Sequence, residues 1–362
     1  MVCAGSGGVG KTTCAAALGV RAAQLGRRVL VLTVDPARRL ATALGLDLSD
    51  PNDREVKLQG VSGKMSAAVI DSKHVFDTFI RRHSNQAELV ARIMKNRLYQ
   101  QLSTTLSGSQ EFTAVERLLE AVESNQYDLI ILDTPPTKHA VDFFTAPQRI
   151  NALFQDSITR WFMAPGSGLG GGIFSGLISR GTKLALKSLE TLTGGPFIEE
   201  LVDFFAAIRS VQKVLQERSS RAYDLLRNPD TRFIVVTSFD QAKLLEACYL
   251  KDELKRLGFR FEAVVINRAF PIGLSAEAET HPSPSSDSNS VALDKVRKFY
   301  KSFKEYYAFR YSLYEDFVKN VGSEVVMVRV PEYQKDIYGT EDLVSLATLL
   351  GSPSADKAEG MK

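Results

Sequence analysis

Gly5-Ser6-Gly7-Gly8-Val9-Gly10-Lys11-Thr12 is the stretch on which the reading of the fold turns. It satisfies G-x-x-x-x-G-K-[ST], and its flanks match what that pattern requires. A short apolar run, Met1 to Ala4, precedes it; a helix-forming run, Thr13 to Leu25, follows and is closed by Gly26. The glycines let the backbone curl with its N–H groups turned inward around phosphate oxygens, helped by the positive end of the following helix. Lys11 then neutralises β- and γ-phosphate charge, and Thr12 offers a hydroxyl to a Mg²⁺ ion shared by the same phosphates. The expected phosphate-binding set is Gly5, Ser6, Gly7, Gly8, Val9, Gly10, Lys11, Thr12 and Thr13.

Working outward, apolar runs of four to seven residues rich in β-branched side chains alternate with longer helical patterns. The expected strands are Met1–Ala4, Val29–Val34, Met65–Ile70, Leu129–Asp133, Phe233–Thr237, Phe261–Ile266 and Glu324–Val330. Such alternation predicts an α/β fold, a mainly parallel sheet flanked by helices. The first strand is the shortest, which fits either a start that trims it or a weak sheet edge. Residues 71–119 and 143–228 carry helical periodicity with almost no strand signal. They read as helical insertions on a nucleotide-binding core made of residues 1–70, 120–142 and 229–362.

Within the second insertion, seven of the sixteen residues from Gly166 to Gly181 are glycine. A regular helix there would cost ~1 kcal/mol per glycine relative to alanine, so a mobile loop is expected. Residues 273–290 turn to Ser, Pro, Asn and acidic side chains, the composition of a flexible linker. After it, Val296, Tyr300, Phe303, Tyr307, Tyr311, Tyr314 and Val318 follow one helical stripe, expected to pack on the sheet.

Two carboxylates stand where open α/β sheets bind ligands, at the carboxyl ends of parallel strands. Asp35, in Asp35-Pro36-Ala37-Arg38-Arg39, is placed to orient or deprotonate an attacking water, and to serve beside the metal. Asp133, ending the strand before Thr134-Pro135-Pro136-Thr137-Lys138-His139, is placed to hold Mg²⁺ directly or through water.

These segments together resemble the arsenical-pump-driving ATPases and their relatives that target tail-anchored membrane proteins. That family belongs to the deviant-Walker-A class with the partition and division-site ATPases. The resemblance covers nearly the whole chain. It rests on the phosphate loop, on Thr33-Val34-Asp35-Pro36-Ala37 as a first switch, and on Asp133 to His139 as a second. Asn267 in Val264-Val265-Ile266-Asn267-Arg268 resembles the family's adenine-reading asparagine. Val328 to Tyr333, with Pro331, resembles the last strand and the loop over the base, and Leu313 to Phe317 the helix before it. The resemblance implies ATP and Mg²⁺ as cofactors and a homodimer that closes around nucleotide and opens after hydrolysis. It also implies helical insertions that carry a cargo or effector site, with a membrane-protein client or transporter subunit as partner.

The chain departs from the family pattern in three places. The second position of the loop, where the family usually carries a lysine acting across the dimer, is Ser6; Arg38 or Arg39 could supply the cation instead. Cys3, Cys14 and Cys248 match no metalloid-binding positions, which opposes a direct arsenite site, since soft ions favour several thiolates. The zinc-bridging C-x-x-C of the eukaryotic targeting factors is missing as well.

Composition bounds the rest. The 362 residues, 44% hydrophobic and 24% charged, suit a globular protein of roughly two domains at ~150 residues each. A net charge of +3, from 45 basic and 42 acidic residues, gives no footprint for nucleic acid. The uncharged stretch from Trp161 to Ser179 is too rich in glycine to make the ~20 apolar residues of a span, so no stable membrane insertion is expected. No basic segment followed by an apolar one opens the chain, and three cysteines cannot all pair, which together point to the cytoplasm. The expected function is ATP hydrolysis coupled to a membrane-related task, as an anion or arsenite pump subunit or in membrane-protein targeting. The alternative is a non-transport nucleotide switch or positioning protein related to partition ATPases.

Overall fold

The computed structural model describes residues 1–34, 39–46, 52–105, 109–136, 141, 143–146, 195–269, 290–333 and 337–351. Its strands are β1 (Val2–Gly5), β2 (Arg28–Thr33), β3 (Arg54–Val56), β4 (Lys64–Val69), β5 (Leu129–Asp133), β6 (Arg232–Ser238), β7 (Arg260–Ala269) and β8 (Val326–Pro331). They form one sheet in the order β3-β4-β2-β5-β1-β6-β7-β8. Pairing is parallel except where β3 runs antiparallel to β4. The mainly parallel α/β class read from the alternation is the one observed.

The helices are α1 (Lys11–Gln24), α2 (Arg39–Leu44), α3 (Ser72–His83), α4 (Ala87–Ile93), α5 (Arg97–Thr105), α6 (Ser109–Glu123), α7 (Gly195–Arg227), α8 (Gln241–Arg256), α9 (Ser290–Val321) and α10 (Gly339–Leu350). Two compact units result. One comprises Met1–Val69, Tyr127–Val141 and Pro229–Lys362; the other comprises Ile70–Gln126 and Asp142–Asn228. Among the described residues every strand lies in the first, with α1, α2 and α8 to α10; α3 to α7 lie in the second.

The sheet unit is built around β1, whose four residues are all buried. It pairs with β5 on one side and β6 on the other, which corrects the option of a weak sheet edge. Its brevity has a local cause: the chain leaves the strand at Gly5 to make the phosphate loop. Strand β3 was not expected; three residues with only Val56 buried leave no periodicity to read. Helix α1 lies against β2 and β4 because position 19 is glycine. A Cβ there would sit 2.7 Å from Val31 Cγ2 and 3.1 Å from Met65 Cε. Cys14, Ala15, Ala16 and Val20 of α1 share one core with Val29, Val31, Met65 and Ile131 of the sheet, joined by Leu343 and Leu346 of α10.

Helix α9 follows its expected stripe only in part. Of that stripe Tyr314 is buried at 6% exposure and Phe303, Tyr307 and Val318 are half-buried, whereas Tyr300 and Tyr311 are exposed at 44% and 42%. Its partner explains the correction: the helix packs chiefly on α8, with Lys251 Nζ donating to the Asn320 carbonyl at 2.8 Å and Tyr314 lying against Phe239. Lys295, Lys298 and Lys301 are solvated.

In the helical unit, Phe79, Ile80, Ile93, Tyr99 and Phe112 pack with Ala207, Val211 and Leu215 of α7. Arg218 of α7 reaches Glu116 Oε1 with Nε at 2.6 Å and Glu123 Oε2 with Nη1 at 3.1 Å. Burial pushes the Glu116 carboxyl up to about 7, with the Arg218 charge and hydrogen bond opposing. No helix among the described residues is long and apolar enough to cross a membrane. The glycine-rich segment 161–179 and the linker to residue 289 lie outside the described residues, and Ser290 opens α9.

Candidate functional site

The loop Gly5 to Gly10 leaves β1 in the middle of the sheet and enters α1, so phosphate-binding groups collect at the carboxyl ends of parallel strands. Gly10 sits at the N-cap of α1 with φ 87° and ψ 25°, a left-handed conformation that glycine adopts without strain. A Cβ at position 10 would also collide with Asn267 Nδ2. No side chain caps the helix and its first turn holds no acidic residue. Its leading N–H groups and the positive end of its dipole are therefore available to an anion.

Lys11, 8% exposed, turns its Nζ back over the loop to the Ser6 carbonyl at 3.2 Å. Thr12 donates from Oγ1 to Asp133 Oδ2 at 2.6 Å, and Thr33 of β2 donates from its Oγ1 to the same oxygen at 2.8 Å. Register explains the convergence: Asp133 of β5 stands opposite Cys3 of β1 on one side and Thr33 of β2 on the other. Thr134 continues the ladder, with both N and Oγ1 donating to the Cys3 carbonyl at 3.1 and 3.0 Å. A hydroxyl and a buried carboxylate so close form a hard-oxygen donor pair of the kind Mg²⁺ takes, along with phosphate oxygens. Thr12 and Asp133 fit that ion.

The same carboxylate shapes its neighbours. Burial first, then the Asp133 charge, pushes the Cys3 thiol far up, and the same two causes push Cys14 up to about 12. Both thiols stay protonated, unlike the thiolates that soft ions require.

Asn267, at the end of β7 beside Ser238 of β6, donates from Nδ2 to the Val9 carbonyl at 2.8 Å, tying β7 to the phosphate loop. Pro331 ends β8 opposite Ala269. Gly7 and Gly8 are exposed, whereas Val9 is buried, 2% exposed, and Ser6 is buried with its Oγ donating to Glu246 Oε2 on α8. Thr13 is the third residue of α1. Asp35, Pro36, Ala37, Arg38 and the second-switch residues Thr137, Lys138 and His139 lie outside the described residues; Arg39 begins α2 and is exposed.

The structure thus brings Lys11, Thr12 and Asp133 together and adds two groups that sequence reasoning missed. Thr33 lies in the first-switch stretch, but its hydroxyl meets Asp133 only through the register of β2 on β5. Glu246 lies 240 residues from Ser6 and carries no local signal.

A family model described as anion-transporting ATPase matches residues 1–352. The chain is 27% identical over 354 residues to a protein of Malassezia globosa named ATPase GET3, covering 97% of this chain and 90% of that one. It is 24% identical over 362 residues to the putative arsenical pump-driving ATPase 1 of Aquifex aeolicus, covering 98% of this chain and 79% of that one.

Proposed function

The chain belongs to the anion-transporting ATPase family, and on that premise we propose that it is a magnesium-dependent ATP hydrolase whose nucleotide cycle drives a membrane-related task. The observation that carries this reading is the meeting of Lys11, Thr12 and Asp133 at the uncapped start of α1. The loop amides and Lys11 hold the phosphates, and Asn267 and Pro331 border the base. Thr12 and Asp133 would hold Mg²⁺, which would supply positive charge to offset that of the phosphates. The Thr12 hydroxyl would offer such an ion an oxygen lone pair while its proton stays on Asp133, and Thr33 keeps that carboxylate oriented. Asp35, following β2, receives the proton of the attacking water or fixes the water's orientation. Asp133 begins the second switch, so a change at the γ-phosphate is passed directly into the segment that follows.

The subunits pair as a homodimer that closes on ATP and opens after hydrolysis, and the helical unit is the part that meets cargo. A relative named as an arsenical pump-driving ATPase supports an anion-linked task. Relatives named ATPase GET3 support, through the family resemblance of the sequence, a membrane-protein client. Cys3 and Cys14, sealed and protonated, offer no thiolates to a metalloid, which favours the client over arsenite.

Calorimetry of ATP binding with and without Mg²⁺, beside phosphate release, tests this. The wild-type protein binds and hydrolyses MgATP, and Lys11→Ala lowers the affinity at least about tenfold, the loss of one charge-assisted contact. Absence of any magnesium-supported affinity for ATP in the wild type refutes the proposal. Sedimentation with and without ATP reads the dimer.

A further inference from the structure

Ser6 leaves the second position of the phosphate loop without a charge, yet a charged pair stands beside it. The Ser6 hydroxyl donates to Glu246 Oε2. Lys243 Nζ lies 3.4 Å from that same oxygen and 3.5 Å from Oε1. One carboxylate therefore joins a loop hydroxyl to an ammonium, placing Nζ within two hydrogen-bond lengths of Ser6. The backbone bearing the lysine is fixed on both sides. Asp240 caps α8 by accepting from the Ala242 and Lys243 amides at 3.0 and 3.4 Å, and Thr237 Oγ1 donates to the Lys243 carbonyl at 2.9 Å. The side chain itself keeps 31% exposure, and the stem is a flexible four-carbon chain.

Electrostatics decides what such a pair can do. A lone carboxylate beside the loop would repel a triphosphate; Lys243 cancels that charge in the resting state. When phosphates arrive, they present several negative oxygens against the single carboxylate that holds the ammonium, and Glu246 keeps the Ser6 hydroxyl as its remaining donor. We propose that Lys243 contacts the nucleotide phosphates and supplies, from α8 of the same subunit, the positive charge that position 6 lacks, with Glu246 as the residue that positions it. The inference rests on the reading that ATP occupies this loop.

The test compares MgATP affinity and turnover in the wild type, Lys11→Ala, Lys243→Met, Glu246→Gln and the double variant Ser6→Lys/Lys243→Met, with urea unfolding of each. Lys243→Met is expected to weaken MgATP binding about tenfold, the loss of one charge-assisted contact, and to flatten its salt dependence while the urea midpoint stays put. Placing lysine at position 6 restores both. Glu246→Gln, which keeps the Lys243 charge but loosens the contact that positions it, is expected to weaken MgATP binding by less than Lys243→Met does. If Lys243→Met binds and turns over MgATP within twofold of wild type while Lys11→Ala loses binding, the assignment of Lys243 is overturned and the ATPase reading stands. If the double variant stays as weak as Lys243→Met, a charge missing from position 6 is refuted as the cause. A wild type that binds no MgATP refutes both readings.

Discussion

Thr33→Val isolates the hydrogen bond that holds Asp133 in place. The substitution keeps shape and β-branching in a strand position that is fully buried, 0% exposed, and removes a hydroxyl donating at 2.8 Å to Asp133 Oδ2. A hydrogen bond to a charged group is worth ~1.5–3 kcal/mol. Thr12 Oγ1, at 2.6 Å, still serves the same oxygen, so the carboxylate is not stripped of donors and the loss falls toward the lower end, about 1.5 kcal/mol. Urea unfolding in the absence of nucleotide and metal reads that number from the midpoint at unchanged slope. A second consequence separates function from packing. Thr33 also fixes the orientation of the carboxylate that, with Thr12, would hold Mg²⁺; in Thr33→Val only the Thr12 hydroxyl is left to orient it. The Mg²⁺ concentration for half-maximal ATP binding is therefore expected to rise about tenfold, the equivalent of ~1.4 kcal/mol. A variant within 0.5 kcal/mol of wild type whose magnesium midpoint does not move would show that Thr33 does not support the site.

Two further outcomes follow from single positions. Gly10→Ala forces alanine into a conformation at φ 87° and drives its Cβ into Asn267 Nδ2. About 1–2 kcal/mol of backbone strain adds to ~1 kcal/mol from the Asn267 to Val9 hydrogen bond. In an Asn267→Ala background Gly10→Ala should cost only the strain, so equal costs in both backgrounds argue against the collision. Glu116→Gln reports on pH. With its carboxyl raised from 4.5 to about 7 by burial, the folded state keeps a proton that the unfolded chain releases between those values. Stability therefore falls as pH rises through that window. Unfolding midpoints measured from pH 4.5 to 7 should fall less steeply in the variant, and an unchanged slope removes Glu116 as its source.

How much was legible follows from the kind of interaction involved. The phosphate loop was readable because its chemistry is local: glycines, lysine and threonine act through a backbone curl spanning eight consecutive residues. Strand positions were readable to within a few residues because burial of a parallel strand on both faces leaves an unbroken apolar run. The three-residue β3 escaped because it buries one side chain. The aromatic stripe of α9 was visible, but a periodic pattern carries no information about which element it packs on.

By itself the sequence determined the α/β class, the phosphate loop and the residues of its first helical turn, because sterics and hydrogen bonding within a few residues govern them. The tertiary structure alone decided that β1 lies in the middle of the sheet, that Thr33 and Thr12 share one oxygen of Asp133, and that Glu246 joins Ser6 to Lys243. These are pairings across 100 residues or more, or between strands whose order no local pattern encodes, and strand order with register fixes them.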